Sequence, residues 1–180
     1  RSSTSGGYLT TGIASAFHPH RDTWYSAPMC QINWWLPVWE IGPDEGMAFH
    51  PAWFDRPVKN GSRFYNYQEW NRTSRQAAAQ QVGRDTRRQP MPEEPLALEP
   101  DIRLLPQPGG LIVFSGAQLH SSIPNHSGLT RFSIDFRTVH IADVEGRRGA
   151  PNLDAECTGT PMNDYLRMRD LAHVPEALQA

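Results

Sequence analysis

The amino-acid sequence predicts a mainly β fold, a barrel or a double-sheet jelly roll, on three observations. Short runs rich in aromatic and β-branched residues are separated by turn signals. RFSIDFRTV (131–139) alternates strictly between polar and apolar positions. Helix-compatible sequence is confined to one polar insertion and the tail, so a core must come from sheets.

Taken in order, MCQINWWLPVWEI (29–41) reads as a strand that stops at the turn signal GPDEG, and GMAFHPAWF (46–54) as its return. From Arg56 to Arg103 the texture turns polar, with a helix-compatible patch at 67–82 and a proline-rich connector, RRQPMPEEPLALEP. Residues 55–103 are therefore expected to be an insertion or lid between strands of one domain spanning 1–180. Strand texture resumes with GGLIVFSGAQLH (109–120), turns through SSIPNHSGLT, and continues into 131–139. There Arg131, Ser133, Asp135 and Arg137 share one face and Phe132, Ile134 and Phe136 the other. After Thr160, Pro161 at a first turn followed by NDYLRMRDLAH predicts a short C-terminal helix.

Composition excludes several classes. One hundred and eighty residues with 10% aromatics can bury a proper core. A net charge of −2 carries no signature of nucleic-acid or membrane binding. No apolar run approaches the roughly 18–20 residues of a membrane span, and no secretion signal opens the chain. Cys30 and Cys157 match no metal or redox spacing and read as free thiols, which points to the cytoplasm. The sequons at Asn60, Asn71 and Asn125 then read as chance. The first residue is Arg1 rather than methionine, so an upstream segment is expected.

His20-Arg21-Asp22 brings an imidazole and a carboxylate two residues apart, on one side of an extended chain. Two histidines and one carboxylate on one face of an iron(II) ion leave the opposite positions open for other ligands. The pair alone is a weak signal. His120, at the end of an apolar run, supplies the third group, and Arg131 follows eleven residues later, where a guanidinium could pair with a bound carboxylate. Ser122 and Ser133 add hydroxyls two positions beyond each. His126 and Arg137 are also eleven apart, but His126 sits inside the polar turn PNHSG.

H-x-D, His-x-Ser and the later arginine resemble the iron(II)/2-oxoglutarate dioxygenases of the phytanoyl-CoA hydroxylase type. EGMAFHP and PGGLIVFSGAQLHSSIPNHS are similar to the stretches around that family's proline turn and distal histidine. The resemblance covers about residues 16–54 and 104–139. It implies a double-stranded β-helix, a cupin-like jelly roll, with Fe(II), 2-oxoglutarate and O2 as cofactor and cosubstrates. It further implies His20, Asp22 and His120 as metal ligands, with Arg131 and Ser122 holding the distal carboxylate of 2-oxoglutarate. Gln31 and Asn33, on one face of the following strand, would meet the cosubstrate's other end or the substrate. The implied reaction is hydroxylation of a small organic molecule with release of succinate and CO2. Halogenases of this type lack the carboxylate ligand, so Asp22 argues for oxygen chemistry. Two departures stand out: only nineteen residues precede His20, and the 55–103 insertion replaces a shorter connection.

A non-oxidative cupin-type metal-binding protein or isomerase is the competing reading, against which Arg131 and Ser122 argue. His18, separated from His20 by Pro19, is expected to be structural, and His50 either structural or near the pocket. His140 and His173 read as surface residues. Trp24, Trp34, Trp35 and Trp39 are expected mostly in the core. Arg72, Arg75, Arg84, Arg87 and Arg88 read as a solvated face or lid.

Overall fold

A computed structural model of the chain describes the backbone of residues 2–4 and all of residues 18–77 and 87–179. Arg84 and the end of the 67–82 patch lie outside the described residues. The described residues are mainly β, in two antiparallel sheets. One has the order β1 (Ser2–Thr4), β7 (Thr130–Thr138), β2 (Ile32–Pro37), β5 (Ile112–Ser115); the other β4 (Ile102–Leu104), β3 (Met47–Phe49), β6 (His120–Ser122).

β2 is central because its alternation suits a two-faced strand: Asn33, Trp35 and Pro37 are buried while Ile32, Trp34 and Leu36 are half-buried. Pro37 falls where pairing with β5 has already ended at Trp35, so its missing N–H breaks no ladder on that side. On β7 the inward face is the polar one. Arg131 and Ser133 are buried while Phe132, Ile134 and Phe136 are 44–54% exposed. Trp34 stacks on Phe136 on this outer face, with ring centroids 5.7 Å apart.

The inner faces meet in a cluster of Trp35, Ile41, Met47, Phe49, Ile112 and Phe114. A second cluster joins Trp24, Val58 and Leu119, with Leu96 and Leu98 packed against it. The segment between strands thus contributes apolar side chains to the core.

Four expectations need correction. The 46–54 segment is a strand only over Met47–Phe49, because Pro51 opens a tight turn over Pro51–Trp53; it pairs with β4 and β6 rather than returning along β2. The 109–120 run is two strands, β5 and β6, in different sheets. Its expected single face from Ile112 to His120 is interrupted at the Gly116–Leu119 turn. The 67–82 patch contains one short helix, α1 (Tyr67–Glu69), capped by the Asn66 side chain, which widens into a π turn over Trp70–Ser74. The tail forms only short 3-10 turns over Met162–Asp164 and Glu176–Leu178, while a helix not anticipated, α2 (Ile141–Glu145), follows β7. Among the described residues no helix is long and apolar enough to cross a membrane.

Candidate metal centre

The two segments carrying the ligand candidates are zipped together by backbone. His20 N–H donates to the His120 carbonyl at 2.9 Å, His120 N–H returns the bond at 3.0 Å, and Asp22 N–H donates to the Gly116 carbonyl at 2.8 Å. This antiparallel bridge points both imidazoles to the same side, with ring centroids 4.4 Å apart. One ligand atom from each of His20, Asp22 and His120 lies within 4.8 Å of the others, and all three residues are buried.

Local hydrogen bonds orient these atoms. His20 Nδ1 lies 2.8 Å from the His18 carbonyl and His120 Nδ1 lies 2.9 Å from the Gln118 carbonyl. A carbonyl only accepts, so each Nδ1 carries the proton and each Nε2 presents a lone pair. Those Nε2 atoms sit 3.4 and 3.8 Å from Asp22 Oδ1. Both spans fall within the roughly 3.0–4.2 Å that separates two ligand atoms on one ion with bonds of about 2.1 Å. Buried neutral imidazoles with a carboxylate suit a borderline divalent metal such as iron(II).

The second oxygen of Asp22 is held from behind. Asn33 Nδ2 donates to Oδ2 at 2.7 Å and Gln31 Nε2 at 3.0 Å, while Gln31 also donates to Asn33 Oδ1 at 2.8 Å. Tyr165 O–H donates to Gln31 Oε1 at 2.6 Å, which fixes the amide so that its NH2 faces Asp22. Arg137 Nε stands 3.8 Å from the same oxygen. Burial pushes the Asp22 carboxyl upward. When the imidazoles are doubly protonated, a form that a bound metal would displace, the hydrogen bond from His20 and the charges of His120, Arg137 and His20 outweigh burial and hold it well below the usual carboxylate range. Gly116 makes room for this network: a Cβ there would stand 3.1 Å from Gln31 Nε2 and 3.4 Å from the Asp22 Cβ.

Arg131 is buried at the other end of the interior. Its NH1 donates to the Glu45 carbonyl at 3.0 Å, and its guanidinium carbon lies 5.4 Å from the centre of the Trp35 ring. The β3–β6 register sets Phe49 opposite His120 and Met47 opposite Ser122, so Ser122 lies toward the Glu45–Gly46 end where Arg131 is anchored. Ser122 is about 7 Å along the strand from His120 at the ordinary rise per residue. Ser133 is buried on the inner face of β7, opposite Pro37.

The remaining candidates fall elsewhere. Gln31 and Asn33 face the back of Asp22 through the hydrogen bonds above. His18 turns away, its Nε2 donating to the Pro90 carbonyl at 2.7 Å; burial and the nearby His20 lower it to about 4 against the pull of that carbonyl. His50 is pinned between the Leu98 carbonyl and Ser121 Oγ. His126 is exposed in its turn, as are His140 and His173. Trp24 and Trp35 are core, whereas Trp34 and Trp39 lie on the outer sheet face. Arg87 and Arg88 lie over the Trp70 and Phe64 rings, and Arg75 donates to Asn71. Cys30 and Cys157 are free thiols. Sequence reasoning missed Tyr165 and gave Arg137 only a rival role. Strand alternation places Arg137 on the Arg131 face, but nothing local signals a contact from Tyr165, 134 positions away.

No family model matches the chain, and no curated protein matches it. Among solved structures, two of EvdO2 from Micromonospora carbonacea var. aurantiaca are similar, the second complexed with 2-oxoglutarate. Identities are 13% and 12% and TM-scores 0.46 and 0.47, over 77% of this chain and 49% of each EvdO2 chain. The chain therefore spans about half the length of those proteins.

Proposed function

We propose that the chain is an iron(II)- and 2-oxoglutarate-dependent oxygenase domain that hydroxylates a small organic molecule, its two sheets forming a double-stranded β-helix. The observation that carries this reading is the buried convergence of His20, Asp22 and His120, with both Nε2 atoms within 3.8 Å of one Asp22 carboxylate oxygen. Two imidazole nitrogens and a carboxylate gathered in a buried site are a donor set that a divalent metal takes.

In this reading His20, Asp22 and His120 hold the iron, and Arg131 with Ser122 takes the distal carboxylate of 2-oxoglutarate. Gln31 and Asn33 keep the Asp22 carboxylate turned toward the histidines, and Tyr165 keeps the Gln31 amide from flipping. Trp35, Met47, Phe49, Ile112 and Phe114 line the interior between the metal and arginine ends and exclude water there. Iron(II) with 2-oxoglutarate and dioxygen supplies C–H oxidation coupled to release of succinate and CO2. The 55–103 segment acts as the lid over the substrate.

The test is consumption of 2-oxoglutarate without added substrate. Succinate release that needs Fe(II) and dioxygen, and is absent in His120→Ala, is expected. Stoichiometric metal binding with no succinate under any condition counts against the oxygenase.

A further inference from the structure

Arg21, the residue between the two proximal ligand candidates, is 1% exposed. Its backbone is extended (φ −108°, ψ 142°), so its side chain leaves on the side opposite His20 and Asp22. The guanidinium spans three separate segments. Nε donates to Asp154 Oδ2 at 3.1 Å, NH1 to the Ala117 carbonyl at 2.5 Å, and NH2 to the Trp53 and Arg56 carbonyls at 2.5 and 2.8 Å.

Ala117 has a particular place. Its neighbour Gly116 accepts the Asp22 N–H, and its other neighbour Gln118 accepts the proton on His120 Nδ1. Arg21 therefore ties the segment bearing His20 and Asp22 to the turn that orients His120. Asp154 in turn fixes Arg21: its side chain is 4% exposed and accepts from Arg21, from Trp24 Nε1 at 2.7 Å and from Val58 N–H at 2.9 Å.

We infer that Arg21 and Asp154 are a positioning pair that sets the spacing between the His20–Asp22 segment and His120, and so tunes how tightly and in what geometry the centre holds its metal. The inference rests on the metal-binding reading above. A buried ion pair is a poor device for stability alone, since apolar replacements of similar volume often serve as well. Its forked donors instead give direction, which lysine cannot reproduce.

The experiment titrates the apoprotein with cobalt(II), reading affinity and the visible ligand-field spectrum, and follows urea unfolding in parallel. The variants are Arg21→Lys, Asp154→Asn and the double apolar replacement Arg21→Met/Asp154→Leu, with His120→Ala as the ligand control. Expected is a loss of about tenfold or more in cobalt affinity with an altered spectrum, the range for groups that orient ligands. The double variant leaves no unpaired buried charge but strips the Ala117, Trp53 and Arg56 carbonyls and the Trp24 and Val58 N–H groups of their partners, so it should lose stability. Its cobalt site, read under conditions where urea unfolding shows it folded, should stay impaired. A folded double variant with wild-type affinity and spectrum would overturn the inference and leave the metal reading intact. A wild-type chain that takes up no cobalt would overturn both.

Discussion

Asp22 carries opposite demands on its two oxygens. Oδ1 faces two imidazoles, while Oδ2 accepts from two buried amides whose orientation depends on one tyrosine hydroxyl. Removing that hydroxyl with Tyr165→Phe leaves the Gln31 oxygen without this donor and removes what holds its NH2 toward Asp22. The expected cost is about 1 kcal/mol in urea unfolding and roughly tenfold in metal affinity. Affinity unchanged in calorimetric titration would show that Gln31 is held by packing alone. Gly116→Ala acts from the other side, pressing a methyl group toward Gln31 Nε2 and Asp22. It should weaken metal binding more than it shifts thermal unfolding. His20, Asp22 and His120, which the structure brings together, could be picked out from spacing because each lies near a strand end or turn with a recognisable pattern. The amide pair could be seen to share a face, but its facing Asp22 depends on where the chain crosses at Gly116, which no local pattern records.

At the level of elements, the switch of the 109–120 run from one sheet to the other builds the centre. β5 pairs with β2, the chain turns at Gly116–Leu119, and β6 pairs with β3, delivering His120 to His20. Continuous strand texture concealed this break, because Gly116 and Ser115 fit a strand pattern as well as a turn. Likewise LRMRDLAH has helical composition, yet the tail is held in irregular backbone by contacts such as Tyr165 to Gln31 and Tyr67 to Asp164. Gly149 seats the segment after α2 against the entry to β2: a Cβ there would lie 2.5 Å from the Met29 carbonyl carbon. Gly149→Ala is expected to lower stability by about 1–3 kcal/mol, read from urea unfolding. His50 couples the connector at Leu98 to β6 at Ser121. Burial lowers its imidazole below the ordinary value, against the opposing pull of the Leu98 carbonyl, Asp101 and Glu99. The unfolded chain thus binds this proton more readily, so stability is full above about pH 6.5 and falls as pH drops below it. His50→Gln should flatten that acid limb of the pH–stability curve.

Over the whole molecule, the two faces of β7 have exchanged their usual characters, while its neighbours β2 and β5 still turn Trp35, Ile112 and Phe114 inward. The polar face of β7 looks inward to the candidate centre, while Phe132, Ile134, Phe136, Val113 and Trp39 stand 44–56% exposed on the outer face. Alternation made both faces legible; it carries no information on which is inside, and the usual expectation of apolar-in fails where the interior is a polar site. Ile134→Lys should reduce the binding of an apolar fluorescent dye without altering metal affinity. The central claim, however, is that one interior holds a metal at its His20–Asp22–His120 end and a dicarboxylate at its Arg131 end. Anaerobic titration with iron(II) and 2-oxoglutarate, following the visible charge-transfer band of the chelate, tests both ends at once. The account predicts a saturable band, absent in His120→Ala and shifted to higher 2-oxoglutarate concentration in Arg131→Ala. Iron bound stoichiometrically with no band, or an Arg131→Ala titration superimposable on the wild type, would contradict it.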